Sequence, residues 1–239
     1  MPSDKVRDWN LKEIKQLVEK MRYAQRIREL FGLYLSPAVS QAILEGKVAT
    51  DGENREVTVL FCDIRDFTAF SQSKAPRQVV ARLNSFFERM SAAVDAHGGF
   101  INKFLGDGFL AVFGAPGRSA DHAQQAVEAA LAMEASLGVF NQELARDEEP
   151  PMEIGIGLDT GEVIVGNVGC ANRMEYTVIG DAANRSSRIQ KLNKSLGTRI
   201  LVSDYTYQKC ELGGGRALGA QTVRGLDEPL VLVTVGERA

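Results

Sequence analysis

Val57 to Thr68 reads VTVLFCDIRDFT. The mostly apolar run from Val57 to Cys62 suits a buried strand. It ends on Asp63, and a second acid, Asp66, follows three residues later, just before Phe67 and Thr68. Asp63 therefore falls where a buried strand surfaces. The turn after it leads into a short helix, whose N-terminal amides can receive phosphate.

Working outward, helices and strands alternate. A helix is expected from Pro76 to His97, patterned by Val79, Val80, Leu83, Phe86, Phe87, Met90 and Val94 and stopped by Gly98-Gly99. Phe100 to Leu105 and Phe109 to Phe113 flank Gly106-Asp107-Gly108, the chemistry of a hairpin turn. A second helix is expected over Ser119 to Leu144, then strands over Glu153 to Leu158 and Val163 to Val168. A third helix over Ala182 to Leu196 and a strand over Arg199 to Val202 come next. Segments at Ala217 to Val223 and Leu230 to Val235 finish the sheet. Helices separated by a hairpin in this way imply an α+β sandwich with a mixed sheet, not a doubly wound parallel one.

Upstream, Leu11, Ile14, Val18, Met21, Ala24, Ile27 and Phe31 form one apolar helix face. Two readings stand: a solvated helix docked on the domain, or a dimerising stalk that carries a signal from an upstream sensor. The stripe falls short of the three to four heptads that argue a coiled coil. Gly32, Pro37 and the polar run Thr50 to Asn54 then punctuate the approach. The expected division is a helical lead-in over residues 1–50 and one domain of mixed helices and strands over 51–239.

Composition excludes several classes. The 239 residues are 44% hydrophobic, enough for one sizeable core. A net charge of −3 gives no basic field for nucleic acid. No apolar run approaches the roughly 18 residues of a membrane span. Three scattered cysteines, Cys62, Cys170 and Cys210, fit a reducing, cytoplasmic setting and make no metal-ligand spacing. With only His97 and His122, histidine-based catalysis has little to be built from.

Two phosphate loops are also excluded. Gly161 to Gly166 imitates the start of a P-loop, but Asn167-Val168 replaces Lys-Ser/Thr, and Gly155-Ile-Gly157 lacks the third glycine of a dinucleotide fingerprint. What remains is the pair of acids. Antiparallel pairing of the strands that carry Asp63 and Asp107 could bring both carboxylates to one sheet edge. Carboxylates forced together repel unless a cation lies between them, so a shared Mg²⁺ site follows. Taken singly, Asp63 reads better as a helix cap and Asp107 as a hairpin-turn residue.

FCDIRDFT, NKFLGDGFLAVFGAP and YTVIGDAANRSSR, in that order, resemble the catalytic core of class III nucleotidyl cyclases, specifically the adenylate cyclase branch. The similarity runs from about Glu56 to Val235, and LFGLYLSPAVSQAILEG resembles the segment that often precedes such domains. The resemblance implies a cyclase homology domain with a ferredoxin-like, palm-type core. It implies conversion of ATP to cyclic AMP and pyrophosphate, two Mg²⁺ or Mn²⁺ ions per site, and a homodimer whose two chains build each site.

By that resemblance Asp63 and Asp107 bind metal, with the Ile64 carbonyl as an extra ligand, and Phe67 and Thr68 belong to the turn that receives phosphate. Lys103 and Thr177 read the base, Asn184 orients the ribose and Arg188 stabilises the pentavalent phosphate. A lysine ammonium and a hydroxyl complement adenine, which offers N1 as acceptor and an amine as donor. Asn184 and Arg188, four apart, share one helix face. Without the motif context Lys103 and Arg188 read as solvated charges and Asn184 as a local cap.

Three departures from the family stand out. Thr177 replaces the Asp of many relatives, as in a bacterial branch with members that respond to bicarbonate or CO₂, which leaves such regulation open. Asp66 replaces a glycine and is expected to stiffen the phosphate turn. Arg224 occupies the place of a triphosphate-binding lysine; charge is kept, but a guanidinium bonds differently. The expected reaction is in-line attack of the ribose 3′-hydroxyl on the α-phosphate, with no side chain as general base. Three alternatives remain: a catalytically silent nucleotide-binding partner domain, a purely structural dimerisation module, and a guanylate cyclase, which would be expected to carry an acid in place of Lys103.

Overall fold

In the computed structural model the described residues are 11–34, 36–46, 52–170, 172–223, 225–226 and 228–236. The chain opens with helices α1 (Leu11–Tyr34) and α2 (Pro37–Leu44), and then enters strand β1 (Glu53–Ile64). There follow α3 (Phe67–Ser73), α4 (Pro76–Ala96), the hairpin β2 (Phe100–Leu105) and β3 (Gly108–Phe113), and α5 (His122–Arg146). The second half runs β4 (Ile154–Cys170), β5 (Arg173–Ile179), α6 (Asp181–Leu196), β6 (Ile200–Ser203), α7 (Asp204–Gln208), β7 (Arg216–Gln221) and β8 (Leu230–Thr234).

The strands make one sheet in the order β2-β3-β1-β4-β6-β8-β7, with β5 paired to the far end of β4. Every pairing is antiparallel except β4 with β6. This is the mixed α+β architecture that the alternation of helices and hairpin implies.

The sheet is buried on both faces at its centre, which is why β1 reads as a nearly continuous apolar run. On one face, Phe86, Met90 and Val94 of α4 and Ala126, Ala130 and Met133 of α5 pack against Leu60, Phe109, Phe113, Ile154 and Ile156. Burying a side chain of this size contributes about 1.5–3 kcal/mol. On the other face α6 lies over β4. Gly157 makes that seat: a Cβ there would stand 2.3 Å from both the Gln190 amide nitrogen and the Ser186 carbonyl oxygen. The glycine pair that fails as a dinucleotide fingerprint thus serves helix–strand approach.

Several elements depart from the sequence expectation. β1 begins at Glu53, not Val57, because it pairs with β4 along its whole length, from Glu53 opposite Val165 to Ile64 opposite Ile154. β4 is one 17-residue strand where two were expected. Asp159-Thr160-Gly161 reads as a break, yet Asp159 bonds Arg185 and Thr160 bonds Thr58, so both polar residues stay buried within the strand. β5 and α7 were not foreseen. Of the α1 stripe, Ile14, Val18, Met21 and Ile27 are exposed. Among the described residues no helix is long and apolar enough to cross a membrane.

Candidate active site

The site is built where β1 leaves the core. Asp63 stands directly opposite Gly108, the residue after Asp107, in the β1–β3 ladder. The Ile64 N–H donates to the Asp107 carbonyl at 3.3 Å and the Arg65 N–H to the Glu153 carbonyl at 2.8 Å, so the backbone on both sides of the acid is fixed. Burial, then the charge of Asp107, push the Asp63 carboxyl up to about 6. Asp107 lies close enough for its charge to act on the Asp63 carboxyl. Two carboxylates held together at this cost suit a shared cation.

Among the described residues no group of three or more His, Cys, Asp or Glu side chains forms a metal cage. That fits this chemistry. A Mg²⁺-like ion is commonly held by one or two carboxylates together with substrate phosphates and water. Asp63, Asp107 and the Ile64 carbonyl make an all-oxygen donor set of that kind.

Asp66 adopts the left-handed conformation, φ 53°, that a glycine favours. Its side chain does not cap α3; it pairs instead with Lys194 at 2.7 Å. Phe67 packs on the main core, 5.8 Å from the Phe70 ring, and so anchors α3. Thr68 is exposed one residue further on.

A second group forms on β2 and β5. The β4–β5 arm folds back so that β5 faces β2, and Phe100 and Tyr176 meet with ring centroids 6.2 Å apart. Lys103 Nζ lies 2.7 Å from a Glu175 carboxylate oxygen. Thr177, buried, donates from Oγ1 to Asn102 Oδ1 at 3.0 Å, and Asn102 Nδ2 donates to the Tyr176 carbonyl at 2.7 Å. Lys103, Phe104, Glu175 and Tyr176 border a cleft of about 580 Å³ that α2 closes through Pro37 and Val39.

A third group lies on α6. Arg185 Nε donates to the buried Asp159 carboxylate at 2.6 Å, tying the start of the helix to β4. Burial raises the Asp159 carboxyl, opposed by bonds from Ser203 and Arg185. Asn184 is left exposed next to this tether. Arg188, one turn on, donates to the Gly225 carbonyl. Among the described residues no hydrogen bond or ion pair joins Asn184 or Arg188 to Asp63 or Asp107. Arg224 lies outside the described residues.

The structure thus brings Asp63, Ile64 and Asp107 together, sets Lys103 and Thr177 on facing strands, and keeps Asn184 and Arg188 on one helix. Sequence reasoning missed Asn102 and Glu175. The signal was available: Asn102 adjoins Lys103, and Glu175 sits two residues before Thr177, on the same strand face.

Comparison with known proteins gives the family. The sequence profile of the adenylate and guanylate cyclase catalytic domain matches residues 50–225. Adenylate cyclase 1 of Rhizobium meliloti is 37% identical over 186 residues, covering 75% of this chain and 28% of that protein. The structure of the adenylyl cyclase CyaB from P. aeruginosa superposes with a TM-score of 0.72 at 32% identity, over 78% of this chain and 96% of that one. The guanylyl cyclase Cya2 gives 0.68 at 36% identity, over 77% and 92%. The chain spans 38% of the length of its relatives in Mycobacterium. It belongs to the class III adenylate and guanylate cyclase catalytic domain family.

Proposed function

We propose that this chain is an adenylate cyclase domain, which converts ATP to 3′,5′-cyclic AMP and pyrophosphate at sites shared between two copies of itself. The observation that carries the reading is the meeting of Asp63 and Asp107, 44 positions apart in the sequence, at one edge of the sheet. In this reading residues 1–50 form the lead-in and 51–239 the catalytic unit.

Asp63, Asp107 and the Ile64 carbonyl would hold two divalent ions. Bound there, such ions supply Lewis-acid activation of the 3′-hydroxyl and neutralise charge on the departing pyrophosphate. Phe67 and Thr68, at the start of α3, lie next to the carboxylates and take the triphosphate side of the substrate. Asn184 orients the ribose for in-line attack. Arg188 donates to the α-phosphate as negative charge grows there; loss of a contact of this kind costs on the order of 100- to 1,000-fold in rate. Arg224 is assigned to the triphosphate by its place in the family pattern alone.

Lys103 decides between purines. An ammonium only donates, which suits adenine N1 and opposes the N1–H of guanine. The likeness to Cya2 favours a guanylate cyclase, and against it Lys103 stands where that chemistry calls for an acceptor.

The homodimer is supported by apolar residues exposed where a second copy would sit. Ile164 and Val168 of β4, Met174 and Ile179 of β5, and Phe104 and Leu105 of β2 are all exposed, as are Ile14, Val18, Met21 and Ile27 of α1. The test is an assay of purified protein with ATP and GTP side by side, in Mg²⁺ and in Mn²⁺, identifying the product. Cyclic AMP is expected. Cyclic GMP alone would overturn the choice of purine, and no cyclic product would overturn the enzyme.

A further inference from the structure

The hydrogen-bonding roles around Thr177 are fixed by chemistry. The Tyr176 carbonyl can only accept, so the Asn102 amide must turn its nitrogen toward it, at 2.7 Å. That leaves Asn102 Oδ1, which also only accepts, facing Thr177 Oγ1 at 3.0 Å. The Thr177 hydroxyl proton is therefore committed to Asn102. What Thr177 still offers a ligand is lone pairs.

We propose that Asn102 is a specificity-determining positioning residue, which locks Thr177 as an acceptor and so makes the site read an exocyclic amine, that of adenine. The inference rests on the adenylate cyclase reading above and deepens it. Left free, a threonine hydroxyl donates or accepts as its ligand requires and would meet the guanine O6 carbonyl as readily as an amine. Locked by Asn102, it faces that carbonyl acceptor to acceptor. Thr177 is only 8% exposed, so water cannot repair the mismatch. Lys103, steadied by Glu175, supplies the neighbouring donor. The two side chains together present a donor beside an acceptor, the complement of N1 and the amine of adenine.

The test compares wild type with Asn102→Leu, Thr177→Val, the double variant and Asn102→Asp. Two quantities are measured with Mn²⁺: kcat/KM for ATP and GTP, and the affinities of non-cyclisable analogues of both by calorimetry. Asn102→Leu is expected to lower the ATP-to-GTP ratio about tenfold, mostly through KM. Thr177→Val should lower it comparably, and the double variant no further than Thr177→Val alone. Asn102→Asp still accepts from Thr177 and should keep the ratio even where stability falls. If the leucine variant does not fold, Asn102→Ala, which removes the same two bonds without added bulk, takes its place. An unchanged ratio in an active Asn102→Leu protein, or effects that multiply in the double variant, would overturn the inference alone. A wild-type protein that neither binds nor cyclises either nucleotide overturns the proposed function, and this inference with it.

Discussion

Gly108 stands across the β1–β3 ladder from Asp63, and the side chain it lacks is what leaves room for the Asp63 carboxylate beside the hairpin turn. A Cβ at position 108 would lie 2.4 Å from the Cys62 carbonyl oxygen and 3.0 Å from Asp63 Oδ1. The first contact is with backbone and cannot be relieved by a rotamer change. Gly108→Ala should therefore push β3 from β1 at the mouth of the site, displacing Asp107 from Asp63. A loss of at least 100-fold in kcat is expected, since positioning errors near 1 Å cost that much. Near-normal turnover in a folded Gly108→Ala protein would contradict this account of how the carboxylates meet.

The acid pair should also be visible in stability. Burial first, and Asp107 second, raise the Asp63 carboxyl from 3.8 to about 6. Between those values the folded chain binds more protons than the unfolded one, so stability from this group is full below about pH 4 and is lost as pH rises through 6. Asp63→Asn keeps the shape and removes the charge. It should raise Tm at pH 7.5 without divalent ions, and the advantage should vanish at pH 4. Added Mn²⁺ should raise the Tm of wild type and leave Asp63→Asn where it was. A gain that is the same at both pH values would point away from charge repulsion.

The parts of this site that the sequence reveals are those with local causes. The end of β1 at Asp63, the Gly106-Asp107-Gly108 turn and the helical spacing of Asn184 and Arg188 are each written within a few residues. What stays hidden depends on contacts between distant segments. Asp159 and Thr160 look like a break between two strands until Arg185 and Thr58 are seen to satisfy them. Asn102 and Thr177 are 75 positions apart, and nothing local says that the β4–β5 arm brings them together. Asp66 shows the converse. Its departure from glycine is plain in the sequence, but only the backbone reveals that it takes the glycine conformation nonetheless, at φ 53°.

The Lys103–Glu175 pair leads to a test of purine choice from the donor side. Both side chains are partly solvated, so Glu175→Gln should change stability by no more than about 0.5 kcal/mol. Its effect should fall on KM for ATP, raised a few-fold with kcat little altered, because a loosened ammonium must be ordered when the base binds. Lys103→Met leaves the Glu175 carboxylate without its partner at the base end of the cleft. An unpaired acceptor there suits the N1–H and amine of guanine, so residual activity should shift toward GTP. Adding Glu175→Gln should remove that shift. Steady-state kinetics with both nucleotides on the three variants checks each step.

Shared sites make the strongest demand on the proposed dimer. In this reading Asp63 and Asp107 of one copy work with Lys103, Thr177, Asn184 and Arg188 of the other. Asp63→Ala and Asn184→Ala homodimers should then both be nearly inactive, since every site lacks one half of its machinery. In a heterodimer of the two variants, one site collects both defects and the other neither. Mixing should therefore restore activity, to about a quarter of wild type if chains exchange at random: half the dimers are mixed, and each has one intact site of two. The exposed apolar residues of the β4–β5 arm, Met174 and Ile179 among them, supply the surface for exchange. Heterodimers are verified by differential tagging and cyclic AMP is measured in the mixture. If verified heterodimers stay as inactive as their parents, the two halves of the site do not come from different chains.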